Sequence, residues 1–308
     1  SDAFGVAFNP QFHFLMSDRL HFNGELEIEL EDEDGELDTD LELEFAQVDW
    51  LATDWLALSG GKFFTPFATF GPRLHPTWIN KLATPPPIYG HGEGGGGMIP
   101  ILTSIGAMTS GGTALWNEDA KINYAFFVGN GSTAVEDPTD ASEVLDIQFD
   151  NTLNLDNVTT GGRVGFLPIA NLEIGASYTT GAPNGDRFNL AGLDGWYFRK
   201  GLELRGELAY LGRKVSGMDA DVWGYWLQSA YRMRYLFPDR TGFQGFLNRL
   251  EGVVRWGQIS GFDPLDRKQV AFGLNYWLFE SAPLKFAYEL NSGAIDSDRF
   301  SLQFAYGF

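Results

Sequence analysis

With 308 residues, no cysteine and a formal net charge of −20, this chain has no means to form disulfides or a cysteine metal site. It also lacks the basic stripe that binding to nucleic acid requires. Its 38 glycines, 26 phenylalanines, 11 tyrosines and nine tryptophans favour pleated structure with tight bends, since rings suit a sheet surface and glycine serves turns. No run of 18 apolar residues occurs, which excludes a membrane-spanning helix and leaves a soluble fold or a membrane barrel.

Apolar and polar residues alternate from one end of the chain to the other, the period of a strand whose two faces meet different surroundings. The pattern covers 4–16 and then "RLHFNGELEIEL", where Leu20, Phe22, Leu26, Ile28 and Leu30 alternate with His21, Asn23, Glu25, Glu27 and Glu29. In "DLELEFA", Leu41, Leu43 and Phe45 alternate with Asp40, Glu42 and Glu44. Further strands are predicted over 55–64, 98–110, 119–130, 159–167, 171–182, 190–199, 201–213, 221–235, 246–259, 268–279, 283–292 and 299–308. A three-residue turn at Ser17–Arg19 would place Met16 opposite Leu20, Phe14 opposite Phe22, Leu15 opposite His21 and His13 opposite Asn23.

Short connections such as "MSDR", "LATD", "LPIAN" and "FESAP" take turns with long polar ones at 31–38, 65–97, 131–157, 183–189, 214–220, 260–267 and 293–298. Aromatic residues crowd near the strand ends. Strands long enough to cross the hydrocarbon at a tilt, asymmetric loops and aromatic girdles together predict one all-β domain over 1–308. That domain is a transmembrane up-and-down antiparallel barrel of about sixteen strands. Fifteen strands are read directly, so the sixteenth is expected either before Ser1 or within "VLDIQFD" at 144–150. The predicted place is the bacterial outer membrane, in contact with lipid and lipopolysaccharide.

The chain closes on "RFSLQFAYGF". A terminal Phe308 after alternating aromatics resembles the C-terminal signature of bacterial outer-membrane proteins, which implies recognition by the barrel-assembly machinery during insertion. The stretch "DWLALSGGKFFTPFATFGPRLHPTWINKL" followed by "INYAFFVGNG" resembles the porin superfamily that includes the phosphate-selective porins. That resemblance implies a sixteen-stranded, homotrimeric passive channel with a loop folded into its bore. Phosphate selectivity does not carry over, because only Arg73 and Lys81 are basic between Thr65 and Gly97.

Parity then sorts the expected pore wall. Glu25, Glu27, Glu29, Asp40, Glu42 and Glu44 point inward from two early strands. Arg163, Arg205, Arg213, Arg232, Arg234, Arg249 and Arg255 point inward from later ones, with Glu203, Glu207 and Glu251 among them. An acidic wall facing a basic wall would set a transverse field across the bore, or the same charges would pair across strands and solvate it. Segment 65–97, stiffened by Pro85–Pro87 and carrying Arg73, His75, Trp78 and Lys81, is predicted to fold inward as a constriction loop. Segment 131–157 is predicted to be a long acidic extracellular loop.

No catalytic arrangement, cofactor motif or metal site is expected: His13 and His21 lack a third ligand, and "GEGGGG" lacks the Lys and Ser or Thr of a phosphate loop. These features predict a water-filled channel for small hydrophilic solutes with a mild cation preference. The alternative is a non-conducting structural or partner-binding barrel, either a sheath or an envelope anchor.

Overall fold

The computed structural model describes residues 4–33, 36–89, 97–99, 103–115, 120–130, 132–134, 147–149, 157–182, 185, 187–215, 218–238, 241–261 and 265–307. Its strands are β1 (Phe4–Phe8), β2 (Gln11–Ser17), β3 (Leu20–Glu33), β4 (Glu36–Thr53), β5 (Leu56–Phe64), β6 (Thr103–Ala114), β7 (Lys121–Gly129), β8 (Ser132–Ala134) and β9 (Ile147–Phe149). They continue with β10 (Thr159–Ile169), β11 (Leu172–Gly181), β12 (Phe188–Arg199), β13 (Leu202–Gly212), β14 (Lys214–Val215) and β15 (Met218–Asp219). The last are β16 (Val222–Arg232), β17 (Leu250–Ser260), β18 (Arg267–Phe279), β19 (Ala282–Gly293) and β20 (Arg299–Phe304). One helix, α1 (Gly242–Asn248), precedes β17.

Sixteen of these strands form one antiparallel sheet in which almost every strand pairs with its neighbours in sequence. β1 and β2 both lie along β3, separated at Asn9–Pro10, so they act as a single interrupted stave. Proline has no N–H to offer the ladder and breaks it there. The sixteenth strand therefore comes from dividing the first stave. "VLDIQFD" does not supply it, because it contains β9, which pairs with β8 in a separate two-stranded ribbon.

Alternation holds along most of the sheet. On β18 the outward Phe272 and Leu274 are exposed while Ala271 and Asn275 are buried; on β13 the outward Leu204, Leu208 and Tyr210 alternate with buried Glu203, Glu207 and Leu211. An apolar row on the convex side and polar groups on the concave side are what a strand between oil and water needs.

Three local departures change the predicted registers. At the first hairpin Leu20 pairs with Ser17, so the turn is Asp18–Arg19, while Leu15 with His21, Phe14 with Phe22 and His13 with Asn23 pair as expected. The β3–β4 register shifts between the pairs Glu25–Phe45 and Leu26–Leu43, leaving Glu44 as an inserted bulge residue. A bulge reverses the parity beyond it. Phe45 consequently turns to the inner face, where its ring meets Phe64 at 5.6 Å. The third departure is at 246–259, whose first residues belong to α1 and not to a strand.

The β3–β4 hairpin is also longer than its neighbour: β4 runs for 18 residues, but β5 pairs with it only from Ala46 to Thr53. The half of β4 carrying Asp40 and Glu42 stands beyond β5 as a two-stranded ribbon with β3, and β1 covers the other edge of β3.

Candidate functional site: a lumen divided by a loop

The connection from β5 to β6 does not leave the sheet. Phe67, Phe70, Leu74, Ile88, Tyr89, Met98 and Ile99 are buried with inner-face residues Phe188, Leu190, Leu211, Val222, Trp226 and Ile259 in one apolar cluster. Leu82 joins a second cluster with Ala230, Val253, Ala271 and Ala287. Each such side chain taken fully out of water contributes roughly 1.5–3 kcal/mol, so the described part of the loop is fastened by burial.

Glycines on the wall make the fit possible. A Cβ on Gly192 would come within 2.5 Å of Phe67, one on Gly224 within 2.6 Å of Met98, one on Gly257 within 2.5 Å of Pro87 and one on Gly273 within 2.6 Å of Leu82. These distances are below any real Cβ contact, so the loop packs against bare backbone.

Polar anchors complete the attachment. The Glu207 carboxylate accepts hydrogen bonds from the backbone N–H groups of Thr69 (2.9 Å) and Phe70 (2.8 Å) and from the Thr69 hydroxyl (3.0 Å). It also accepts from the Tyr89 hydroxyl (2.6 Å) and the Trp226 indole (3.0 Å). A five-residue π turn at Phe70–Leu74 follows directly. Lys81 Nζ donates to Glu251 at 2.9 Å, and Asn275 Nδ2 donates to the Lys81 carbonyl at 2.9 Å. Arg255 donates to the Thr84 carbonyl (2.9 Å) and hydroxyl (3.0 Å), and that hydroxyl also bonds Glu289. Lys285 reaches the Thr77 and Leu82 carbonyls and Gln303; Arg267 reaches the Pro87 carbonyl.

The arginines predicted from parity therefore fall into two groups. Arg163, Arg205, Arg213 and Arg255 are buried, 9% exposed or less. Arg163 forks onto Asp194 (2.6 and 2.9 Å) and also meets Glu173 at 2.9 Å; Arg205 pairs with Glu203 at 2.6 Å beneath Trp196. Burial keeps Arg205, Arg213 and Arg255 away from open water, whereas Arg163 also borders a cavity. Arg232, Arg234 and Arg249 lie at the short-turn rim. Arg232 and Arg234 both hold Glu280 at 2.9 Å, and Arg232 stacks on Trp277 at 3.8 Å. The hydrogen bond from Arg232 keeps the Glu280 carboxyl below the usual carboxylate range.

The early strands present a different inner face. Between the loop and β2, β3, β4, β6 and β7 lies a cavity of about 680 Å³. Gln11, His13, Asn23, Glu25 and Gln47 line one side of it, with Arg73, His75 and Arg163 opposite. Asp49 organises the early side: it accepts from Asn23 Nδ2 (2.6 Å), Gln47 Nε2 (2.8 Å) and Ser59 Oγ (2.5 Å). Gln11 Nε2 donates to Glu25 at 2.7 Å, and His13 Nδ1 lies 2.7 Å from Asn23 Oδ1. Across the cavity Arg73 contacts both oxygens of Glu173 at 3.1 Å, and the Asn123 amide bridges Arg163 and Glu173. The His75 ring stacks on Phe64 at 4.3 Å with Nδ1 against the Gly71 carbonyl.

Of the six predicted wall carboxylates, Glu25 lies at the cavity. Glu27, Glu29, Asp40 and Glu42 lie on the projecting ribbon, Glu42 pairing with Lys62 at 3.0 Å, and Glu44 is the bulge. Lys81 is half-buried against the wall, whereas Trp78 is exposed beside Gly307. Phe308 and most of 131–157 lie outside the described residues. Parity had not singled out Asp49, Glu173, Asp194, Glu289 or Lys285. The signal present for Asp194, Glu289 and Lys285 was their place among the polar residues of alternating strands.

No family model matches the chain, and no curated protein matches it. Solved structures do. Salmonella typhi OmpF in complex with daunomycin aligns with a TM-score of 0.61 at 12% identity, over 98% of this chain and 89% of that one. An anion-selective porin from Comamonas acidovorans aligns at 0.59 and 13% identity, over 98% and 85%. A loop L8 deletion mutant of OmpT, an outer membrane protein of Vibrio cholerae, aligns at 0.54 and 12% identity, over 99% and 96%. The shared feature is the fold: an all-β porin-type barrel, extended along nearly the whole of each chain.

Proposed function

We propose that this protein is an outer-membrane porin, a passive, non-catalytic channel for small hydrophilic solutes and ions. One observation carries the reading: the inner loop packs along β12–β19, leaving against β2–β7 a cavity whose lining mixes apolar residues with Gln11, His13, Glu25, Arg73 and Arg163. Water and solutes pass through that gap, and segment 65–97 sets its width. The porin-type fold supports placement in a bacterial outer membrane, with lipid and lipopolysaccharide outside. Assembly as a homotrimer, and insertion by the barrel-assembly machinery through a signal ending in Phe308, belong to the same reading.

The gap is lined by Glu25 on the early side and, opposite, by Arg73 of the loop and Arg163 of β10. The overall charge of −20 and the carboxylates Glu27, Glu29, Asp40 and Glu42 of the β3–β4 ribbon favour a mild preference for cations. A solved neighbour is described as anion-selective, so the fold alone carries no sign of selectivity. Recordings on purified protein in planar bilayers test both points. Ohmic steps are expected, with a reversal potential in a salt gradient that shows cations carrying most of the current. Glu25→Gln should lower the cation-to-anion ratio and Arg73→Ala raise it. Each shift should be up to roughly fivefold, since a unit charge at 4 Å in water is worth about 1 kcal/mol. Insertion without conductance would reject the channel in favour of a structural or partner-binding barrel.

A further inference from the structure

The connection from β16 to β17 departs from the pattern of the other described turns at its end of the barrel. The β12–β13 and β18–β19 turns take two residues, Lys200–Gly201 and Glu280–Ser281, whereas 233–249 contains a 3-10 turn at Met233–Tyr235 followed by α1. The fold needs no such length there, because antiparallel neighbours can be joined by two residues.

Where α1 lies is settled by its rings. Phe243 and Phe246 stack on one another at 6.4 Å, and Phe246 stacks on Tyr276 at 5.4 Å. Tyr276 belongs to the same alternating set of β18 as Phe272 and Leu274, the convex face. The helix is therefore folded back over the outside of the barrel wall near its rim, away from the bore. Its apolar side chains remain uncovered: Phe243 is 74% exposed, Leu236 61% and Phe246 49%. Phe279, at the end of β18, is exposed as well. Arg234 lies over the Tyr235 ring at 5.3 Å, and Arg249 is exposed at the end of α1.

We propose that segment 233–249 is a membrane-interface anchor, with α1 lying flat at the headgroup–acyl boundary of the leaflet on the short-turn side. Phe243, Phe246 and Leu236 enter the acyl layer, and Arg249 meets lipid phosphates. The occupant is a phospholipid surface because the patch joins the convex apolar face where Phe246 stacks on Tyr276 and has exposed Arg249 at its margin, as an interfacial helix requires. The inference rests on the membrane reading of the barrel, because a wall standing in water would offer no acyl chains.

The absence of native cysteine makes the test direct. Single cysteines at Phe243, at mid-wall Leu227 and at the turn residue Lys200 are spin-labelled in protein reconstituted into phosphatidylethanolamine–phosphatidylglycerol vesicles. Each label's collision rates with oxygen, which partitions into lipid, and with a water-soluble nickel chelate are then compared. The expected result is an oxygen-to-nickel ratio at Phe243 several-fold above that at Lys200 and approaching that at Leu227. A water-like ratio at Phe243 with a lipid-like one at Leu227 overturns the anchor and leaves the barrel reading intact; a water-like ratio at Leu227 overturns the barrel reading itself. Shielding of Phe243 from both reagents means that protein covers the patch, and this also overturns the anchor. Phe246→Cys gives the same readout if Phe243→Cys is not recovered folded.

Discussion

The two halves of the inner wall use similar residues in opposite ways. Along β10–β19 the carboxylates and cations face loop groups: Glu207 gathers five donors, four of them from Thr69, Phe70 and Tyr89, and Arg255 grips Thr84. Along β2–β5 the carboxylates are satisfied within their own strands, as at Asp49, and the face is left wet. The difference teaches that charge on a barrel's inner face is not by itself a pore lining. Whether it guides ions or fastens a loop depends on what packs above it, since a covered charge must be paired and an open one is solvated.

The sharpest way to break this contrast is Glu207→Ala. Five donors lose their acceptor in a buried place, so the variant should be destabilised by about 3 kcal/mol or more, read as an earlier thermal transition in detergent. Channels that do form should show larger and noisier conductance as the loop loosens. Gly257→Val attacks the same half without touching a charge. Its Cβ meets the rigid Pro87 ring, and such overpacking costs about 1–3 kcal/mol. Altered single-channel conductance with ion selectivity unchanged is the expected outcome. Asp49→Asn addresses the other half and should have the smallest effect. About 1 kcal/mol of stability is lost as its hydrogen bonds weaken, and conductance stays near the parent value because nothing in the loop depends on that side chain. Equal effects of Glu207→Ala and Asp49→Asn on conductance would erase the distinction between the halves.

Much of the architecture was legible in the chain. Strict alternation over "RFSLQFAYGF" or "LELRGELAY" leaves one consistent assignment of faces, because a strand between two environments cannot shift by one residue without exposing its whole apolar set to the wrong one. The bulge at Glu44 was not legible: an extra residue within Glu–Leu–Glu–Phe keeps the local alternation while reversing everything after it, which hid Asp49. α1 was missed because "GFQGFLN" runs directly into "RLEGVVRW" without a strong start signal, and Thr241 makes no side-chain cap. The partners of Glu207 were invisible for another reason. Its inward direction follows from parity, but Thr69 and Tyr89 lie 138 and 118 residues away, and local periodicity carries no information at that range.

The projecting ribbon has a consequence of its own. Beyond Ala46, β4 has no β5 pairing with it, and side chains bond its backbone there: Lys62 Nζ donates to the Leu43 carbonyl at 2.6 Å and the Leu41 N–H donates to Asp40 Oδ1 at 2.8 Å. Charged side chains along an unpaired strand are one way in which a sheet edge resists pairing with another chain. Lys62 and Asp40 thus occupy backbone groups that a further strand would otherwise claim.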